Sequence, residues 1–281
     1  MNYRAETFDI EEIVANALKE DIGSKDLTSE NFISGVKSAK ARIVAQEDCI
    51  ICGMDVAAGV FKSLNPKVKF KALFSDGDKV KKGKVIVEIY GRAADILKAE
   101  RVALNFLSFL SAISTKTRNF VEAVKPYKAK IIDTRKTIPG LRLLQKYAVR
   151  LGGGFNHRYT LDEMILIKDN HLLILGGIEN IENLPQNYST EVEVKNLKEF
   201  QIALKLSPDI IMLDNMSPAN MKKAVKLRNK LPNMGKIPQL EASGGVTLKN
   251  VKNIASSGVN TISIGALTHT IDSINLSLEI L

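Results

Sequence analysis

The chain reads as an α/β protein, a small mostly β unit followed by a βα barrel, on three features of its sequence. Short alternating or β-branched runs crowd its first third. Buried-strand runs then recur every 20 to 30 residues or so, each followed by a helical segment, the pattern of parallel βα repeats. Those later runs end in charged or glycine-rich sets, which in a barrel all converge on one mouth, where catalytic residues collect.

In chain order, apolar periodicity predicts a first helix from about Asp9 to Lys19, with Phe8, Ile13, Val14, Ala17 and Leu18 on one face, ending near Asp21-Ile22-Gly23. Strands are expected at Ala41–Ala45, Cys49–Cys52, Lys69–Leu73 and Val85–Tyr90, with turns at Asn65-Pro66 and Asp76-Gly77-Asp78 between them. The stretch from Asp76 to Gly83 is similar to the turn of lipoyl and biotinyl carrier domains. It lacks the modified-lysine tetrapeptide, so it is read as a structural hairpin. From Ala93 to Ser114 the periodicity is that of one or two helices.

The repeating region then places strands at Ala129–Asp133, Met164–Lys168, Thr190–Val194, Ile210–Asp214, Gln239–Ser243 and Thr261–Gly265. Helical segments at Leu197–Leu206, Pro218–Leu231 and Leu248–Ser257 fill the gaps.

Composition bounds the function. At 281 residues, 45% hydrophobic and 25% charged, the chain has ordinary globular composition and can bury a large core, which excludes collagen-like, disordered and mini-protein readings. No apolar run approaches the ~18 residues of a membrane span, and Met1 to Glu6 carry no secretory apolar region, so a soluble, cytoplasmic protein is expected. Cys49 and Cys52 cannot build a disulfide scaffold. Lying three apart in a predicted strand they face opposite sides, and packing is the simpler role than redox or zinc chemistry.

There are 40 Lys plus Arg against 31 Asp plus Glu, a formal charge of +9. Six of the ten arginines fall between 101 and 158, whereas the lysines are scattered along the chain. No basic tract is interleaved with aromatics, which argues against a nucleic-acid groove and for a small acidic ligand.

The strand ends supply the candidate chemistry. Arg135 and Lys136 follow one strand, Gly152-Gly153-Gly154 leads into His157-Arg158, and Lys168 ends another, so a shared anion pocket is the economical account of five donors in like positions. Two glycine-bearing ends, Ser243-Gly244-Gly245 and Gly265-Ala266, follow the last two strands, where backbone N–H groups and helix N-termini commonly cradle phosphate. Glu193 and Asp214 end successive strands and suit Mg²⁺ held through oxygen ligands beside a phosphorylated substrate, or alternatively charge balance for the cationic mouth.

These stretches resemble the quinolinate phosphoribosyltransferase family: Glu20–Thr28, Glu100–Leu107, Asp133–Arg142, Lys146–Arg158, Leu166–His171, Glu191–Val194, Met212–Asn215, Leu240–Val246 and Ile264–His269, colinear over nearly the whole chain. Departures are minor, Lys25 where the family often has Gly and Glu163 where it often has Asp. The resemblance implies an incomplete, about seven-stranded α/β barrel over 105–269 and an N-terminal α/β sandwich domain over 1–104 completed by 270–281. It implies phosphoribosyl transfer from phosphoribosyl pyrophosphate to quinolinate with decarboxylation, giving nicotinate mononucleotide, pyrophosphate and CO2 in de novo NAD biosynthesis.

The same resemblance assigns the residues. Arg135, His157, Arg158 and Lys168, with Thr134 beside them and Arg101 from a second chain of a homodimer or higher multiple, would hold quinolinate. Lys136 and Lys168 would face the pyrophosphate. Ser243, Gly244, Gly245, Ile264, Gly265, Ala266 and His269 would bind the 5-phosphate, and Glu193 and Asp214 the Mg²⁺ and ribose hydroxyls. Lys136, Glu193 and Asp214 are the expected catalytic residues, and no organic cofactor is required. A nicotinate-using phosphoribosyltransferase, a relative associated with molybdenum transport, and a Schiff-base aldolase using Lys168 are the competing readings. The intact residue sets around Arg135, His157 and Lys168 favour quinolinate.

Overall fold

The computed structural model describes residues 10–33, 35–231 and 237–281. Its elements run α1 (Ile10–Ile22), α2 (Leu27–Phe32), β1 (Ser38–Ala45), β2 (Cys49–Ile50), α3 (Met54–Leu64), β3 (Lys69–Ala72), β4 (Lys79–Val80), β5 (Val85–Arg92) and α4 (Ala93–Val124). There follow β6 (Lys130–Ile132), α5 (Arg142–Leu151), β7 (Ile165–Ile167), α6 (Asp169–Leu175), β8 (Thr190–Val194), α7 (Leu197–Leu206), β9 (Ile210–Asp214), α8 (Pro218–Arg228), β10 (Gln239–Ser243), α9 (Val251–Ala255), β11 (Thr261–Ser263), α10 (Ala266–His269) and β12 (Leu276–Ile280). Phe8 and Asp9, expected to open the first helix, lie outside the described residues.

The chain forms two compact units. Among the described residues, one holds those up to Lys116 with Ile138–Gly152 and Thr270–Leu281, the other Thr117–Thr137 with those from Gly153 to His269. The passage between them lies inside α4, a single 32-residue helix where the sequence left one or two open.

The first unit is built on an antiparallel sheet ordered β12-β1-β5-β3, with β2 and β4 as a separate ribbon. The C-terminal strand β12 pairs with β1 from Ala41 against Ile280 to Ala45 against Leu276. "Mostly β" undercounts this unit's helices. The apolar run Met54–Leu64, which the reading by alternating strands passed over, is α3, with Val56, Ala57, Val60 and Phe61 buried. Asp76, in the turn read as structural, accepts the Gly53 and Met54 backbone N–H groups at 3.0 Å each and so satisfies donors at the start of α3. Both cysteines are buried free thiols, and burial pushes the Cys49 thiol up to about 11, as suits packing residues.

The second unit is the βα-repeat region. Six parallel strands lie in the order β6-β11-β10-β9-β8-β7. A seventh position is a single residue: Phe155 bridges Ile132 in parallel, its N–H donating to the Ile131 carbonyl at 2.9 Å and its carbonyl accepting from Asp133 N–H at 3.1 Å. The barrel is thus incomplete, six full strands and one bridge. Lys130 Nζ sits 4.8 Å from the Phe155 ring centroid and holds that residue against β6.

Local chemistry sets the helix starts. Asn196 accepts the Glu199 N–H at 3.0 Å and opens α7, while Ser217, followed by Pro218, caps α8 by accepting the Asn220 N–H. The core is the apolar stock of the strands, with Val192, Val194, Ile211, Leu213, Leu240, Ala242 and Ile262 all fully buried.

Strand pairing fixes which side chains face inward. Glu193 pairs with Met212, Met212 with Glu241, and Glu241 with Thr261, so these residues point to one side of the sheet. With a two-residue period, Glu191, Asp214, Ser243 and Ser263 share that side. All five residues of β8 are buried, including both glutamates, so this strand carries two carboxylates into the interior.

Candidate active site

At the C-terminal ends of these strands opens a cavity of about 820 Å³. It is lined by Thr134, Arg135, Lys136, His157, Arg158, Lys168, Glu193, Asp214, Ser243, Gly244, Gly245, Ile264, Gly265, Ala266 and His269, which are all the expected site residues except Arg101. Arg101 is exposed on α4 and is absent from the lining.

The basic wall comes from the segments after β6 and around Arg158. The chain past β6 is pinned locally: Thr134 Oγ1 accepts the Lys136 N–H at 3.1 Å, the Arg135 carbonyl accepts the Thr137 N–H at 3.0 Å, and the Thr268 hydroxyl donates to the Lys136 carbonyl at 2.7 Å. Arg158 Nη1 donates to the Met164 carbonyl at 2.8 Å. The Nε atoms of Arg135 and Arg158 are both buried and both lack a partner. Burial, and then the charge of Arg135, pulls Arg158 below its ordinary value. Two guanidinium groups facing one cavity in this state are short of an anion.

Opposite lie the acids. Burial pushes the Glu193 carboxyl up from its ordinary value, and Asp214 and Asp169 push it further, with Lys168 and Lys195 opposing. Asn215 Nδ2 donates to Asp214 Oδ2 at 3.0 Å.

The glycine rim is tight. A Cβ on Gly265 would meet Lys136 Cδ at 3.0 Å and His269 Cδ2 at 3.1 Å, so the absence of a side chain there lets both residues approach the backbone.

His157 lines the cavity and is held from within the protein. Its Nδ1 accepts the Arg158 backbone N–H at 2.8 Å, and its Nε2 lies 2.8 Å from Glu191 Oε2. Both ring nitrogens are thus engaged by the protein. Asp133, at the end of β6, fixes the approach by accepting the His157 N–H at 2.9 Å and an Asn156 Nδ2–H at 2.6 Å.

Several lining residues went unassigned in the sequence: Leu166, Met212, Asn215, Glu241, Val246, Thr247 and Ser263, with Asp169 noted only as part of a strand end. Met212, Glu241 and Ser263 follow the two-residue period down from Asp214, Ser243 and Gly265, a signal present in the sequence once the inward face is known.

Comparison with known proteins agrees in one direction. Residues 26–111 match the quinolinate phosphoribosyl transferase N-terminal domain and residues 113–279 the C-terminal domain of the same description. The chain is 41% identical over 275 residues to a probable nicotinate-nucleotide pyrophosphorylase (carboxylating) of Methanocaldococcus jannaschii, covering 95% of this chain and 96% of that one. It is likewise 41% identical over 269 residues to a protein of that name from Synechocystis, covering 94% and 90%. Among solved structures, the nicotinate-nucleotide pyrophosphorylase of Francisella tularensis superposes with a TM-score of 0.87 at 40% identity, over 97% of this chain and 96% of that one.

Proposed function

The chain belongs to the quinolinate phosphoribosyltransferase family, and from that premise we propose how its own residues carry out the reaction. The enzyme transfers the phosphoribosyl group of phosphoribosyl pyrophosphate to quinolinate, with loss of CO2, and yields nicotinate mononucleotide.

The observation that carries the residue assignment is the pair of buried, unpartnered Nε atoms on Arg135 and Arg158 in one cavity. Quinolinate has two adjacent ring carboxylates, and two planar guanidinium forks match them. Lys168 adds a third cation at the rim, and Thr134 lies beside Arg135. Lys136 faces the pyrophosphate. Ser243, Gly244, Gly245, Ile264, Gly265, Ala266 and His269 form the 5-phosphate cradle, with backbone N–H groups as donors.

Glu193 and Asp214 fit a divalent cation. Their mutual repulsion in a half-buried setting is relieved by positive charge, and both offer oxygen ligands. Mg²⁺ bound there would neutralise the phosphoribosyl pyrophosphate and help orient it.

As pyrophosphate departs, positive charge develops at the ribose C1, and Glu193 and Asp214 stabilise it electrostatically. The pyridine nitrogen, aligned by the arginine-bound carboxylates, forms the new bond at C1. The ring nitrogen is then cationic, so breaking the bond from ring C2 to its carboxylate leaves an electron pair that the adjacent charge stabilises. A proton takes the place of CO2 on that carbon. No organic cofactor enters this scheme.

Arg101, exposed on α4, completes the pocket from a second copy of the chain in a homodimer. No helix of the described residues is long and apolar enough to cross a membrane, and a cytoplasmic site of action is part of this reading. The test supplies quinolinate, phosphoribosyl pyrophosphate and Mg²⁺ and measures nicotinate mononucleotide and CO2, with nicotinate as control. Product from quinolinate alone is expected. Equal turnover of nicotinate without CO2 overturns the assignment.

A further inference from the structure

Below the anion seat lies a group of acids that the reaction scheme does not use. His157, Glu191 and Glu241 bring one ligand-type atom each within 4.8 Å of one another, and both glutamates are buried to about 1% exposure or less. His157 Nε2 is 2.8 Å from Glu191 Oε2 and 3.9 Å from Glu241 Oε2. Nδ1 accepts the N–H of Arg158, so the ring proton resides on Nε2 and is donated to Glu191. The ring is therefore a rigid spacer between a buried carboxyl group and the backbone of the arginine that seats the substrate.

We propose that Glu191 and Glu241 are positioning residues for the quinolinate seat: Glu191 holds His157 as the Nε2–H tautomer, so that Nδ1 anchors the backbone of Arg158, and Glu241 packs beneath the ring.

This rests on the reading of the cavity as the quinolinate site. Geometry alone supports the Glu191 contact, since an imidazole held through both nitrogens cannot rotate without breaking two hydrogen bonds. Desolvation, followed by the neighbouring Glu191, pushes Glu241 up to about 8, with His157 opposing, so at neutral pH this carboxyl keeps its proton. A proton suffices where a metal ion would otherwise be called for. Arg135 and Arg158 already crowd the cavity above with positive charge. The hydrogen bond of 2.8 Å from the imidazole engages one oxygen of Glu191, while Glu191 Oε1 and Glu241 Oε1 are buried without a hydrogen-bond partner.

The chain has only three histidines, so side-chain ¹⁵N NMR resolves the His157 tautomer directly. In the wild-type protein His157 is expected as the neutral Nε2–H form. Glu191→Leu should lose that preference and raise KM for quinolinate at least tenfold, with KM for phosphoribosyl pyrophosphate changed less than threefold. Glu241→Leu should raise the quinolinate KM in the same way, and Glu241→Gln, which keeps a neutral polar group of the same shape, should rescue it. An Nδ1–H or imidazolium His157 in the wild type overturns the proposal, as does an unchanged tautomer and KM in Glu191→Leu. If Glu191→Leu fails to fold, the wild-type tautomer and the Glu241→Gln rescue decide. A stoichiometric metal ion that stays bound when Glu193 and Asp214 are both replaced by their amides also overturns it. A wild-type enzyme that ignores quinolinate yet shows the Nε2–H tautomer sinks the functional reading instead, and the two failures are distinguished by that readout.

Discussion

Asn215 occupies the space that a side chain on Gly244 would need: a Cβ there would overlap Asn215 Oδ1. Asn215 itself takes a left-handed backbone, φ 51°, its N–H donates to the Ser243 carbonyl at 2.9 Å, and its side chain donates to Asp214. One residue thus ties the end of β9, with its carboxylate, to the glycine loop after β10.

Gly244→Ala should therefore disrupt the loop proposed to bind the 5-phosphate. Its φ of +87° adds backbone strain to the clash, a destabilisation of about 1 kcal/mol or more. KM for phosphoribosyl pyrophosphate should rise while quinolinate binding, read by calorimetry, changes little. An unaltered phosphoribosyl pyrophosphate KM would remove Gly244 from the cradle.

Arg135→Ala should cripple quinolinate binding and leave the fold intact. Truncating one partner of a desolvated charge pair costs about 2–5 kcal/mol, which is ~30-fold or more in affinity. Steady-state kinetics on quinolinate, with circular dichroism for the fold, check it. Normal turnover in this variant contradicts the assignment.

Asp214→Asn and Glu193→Gln should each weaken the response to Mg²⁺. The expected result is a rise in the Mg²⁺ concentration giving half-maximal rate, with a drop in kcat of about 10- to 1,000-fold as charge stabilisation at C1 is lost. A titration of rate against Mg²⁺ for each variant measures both.

An inactive Arg101→Ala chain mixed with an inactive Arg158→Ala chain should regain activity through hybrid dimers, since one of the two mouths in a hybrid keeps both arginines. Co-expression with two affinity tags isolates the hybrid. No recovery in it would show that the sites are not shared.

Stability should fall as pH rises through the neutral range because of Glu241. Its folded value of about 8 stands above an ordinary 4.5, so between these the native state holds a proton that the unfolded chain has released. The contribution is full below about 4.5 and lost by about 8. Urea unfolding of wild type and Glu241→Gln at pH 5 and pH 8 should give a difference that shifts in favour of Glu241→Gln at the higher pH. A pH-independent difference refutes the buried proton.

The limits of legibility follow from what each signal reports. Strands at Thr190–Val194, Ile210–Asp214 and Gln239–Ser243 stand where the run of β-branched and apolar residues placed them, because a fully buried parallel strand writes its burial into consecutive positions. In α3 the residues Met54, Ala57, Val60, Phe61 and Leu64 recur at helical spacing, so this helix is legible in the sequence to a reading by period 3.6, though not to one by alternation. The seventh barrel position at Phe155 is one bridging residue, too short for any periodicity to record.

The sequence by itself determined the fold class, the basic cluster between 101 and 158, and fifteen of the residues that line the cavity, because strand-end residues of a βα barrel converge whatever the details of packing. Tertiary structure alone decided how those residues divide their work. Register brought Glu191 and Glu241, fifty residues apart in sequence, to the same buried imidazole. It also engages both ring nitrogens of His157, which lines the cavity, within the protein. Hydrogen-bond direction and desolvation depend on neighbours from different strands, and those neighbours exist only once the sheet has closed around them.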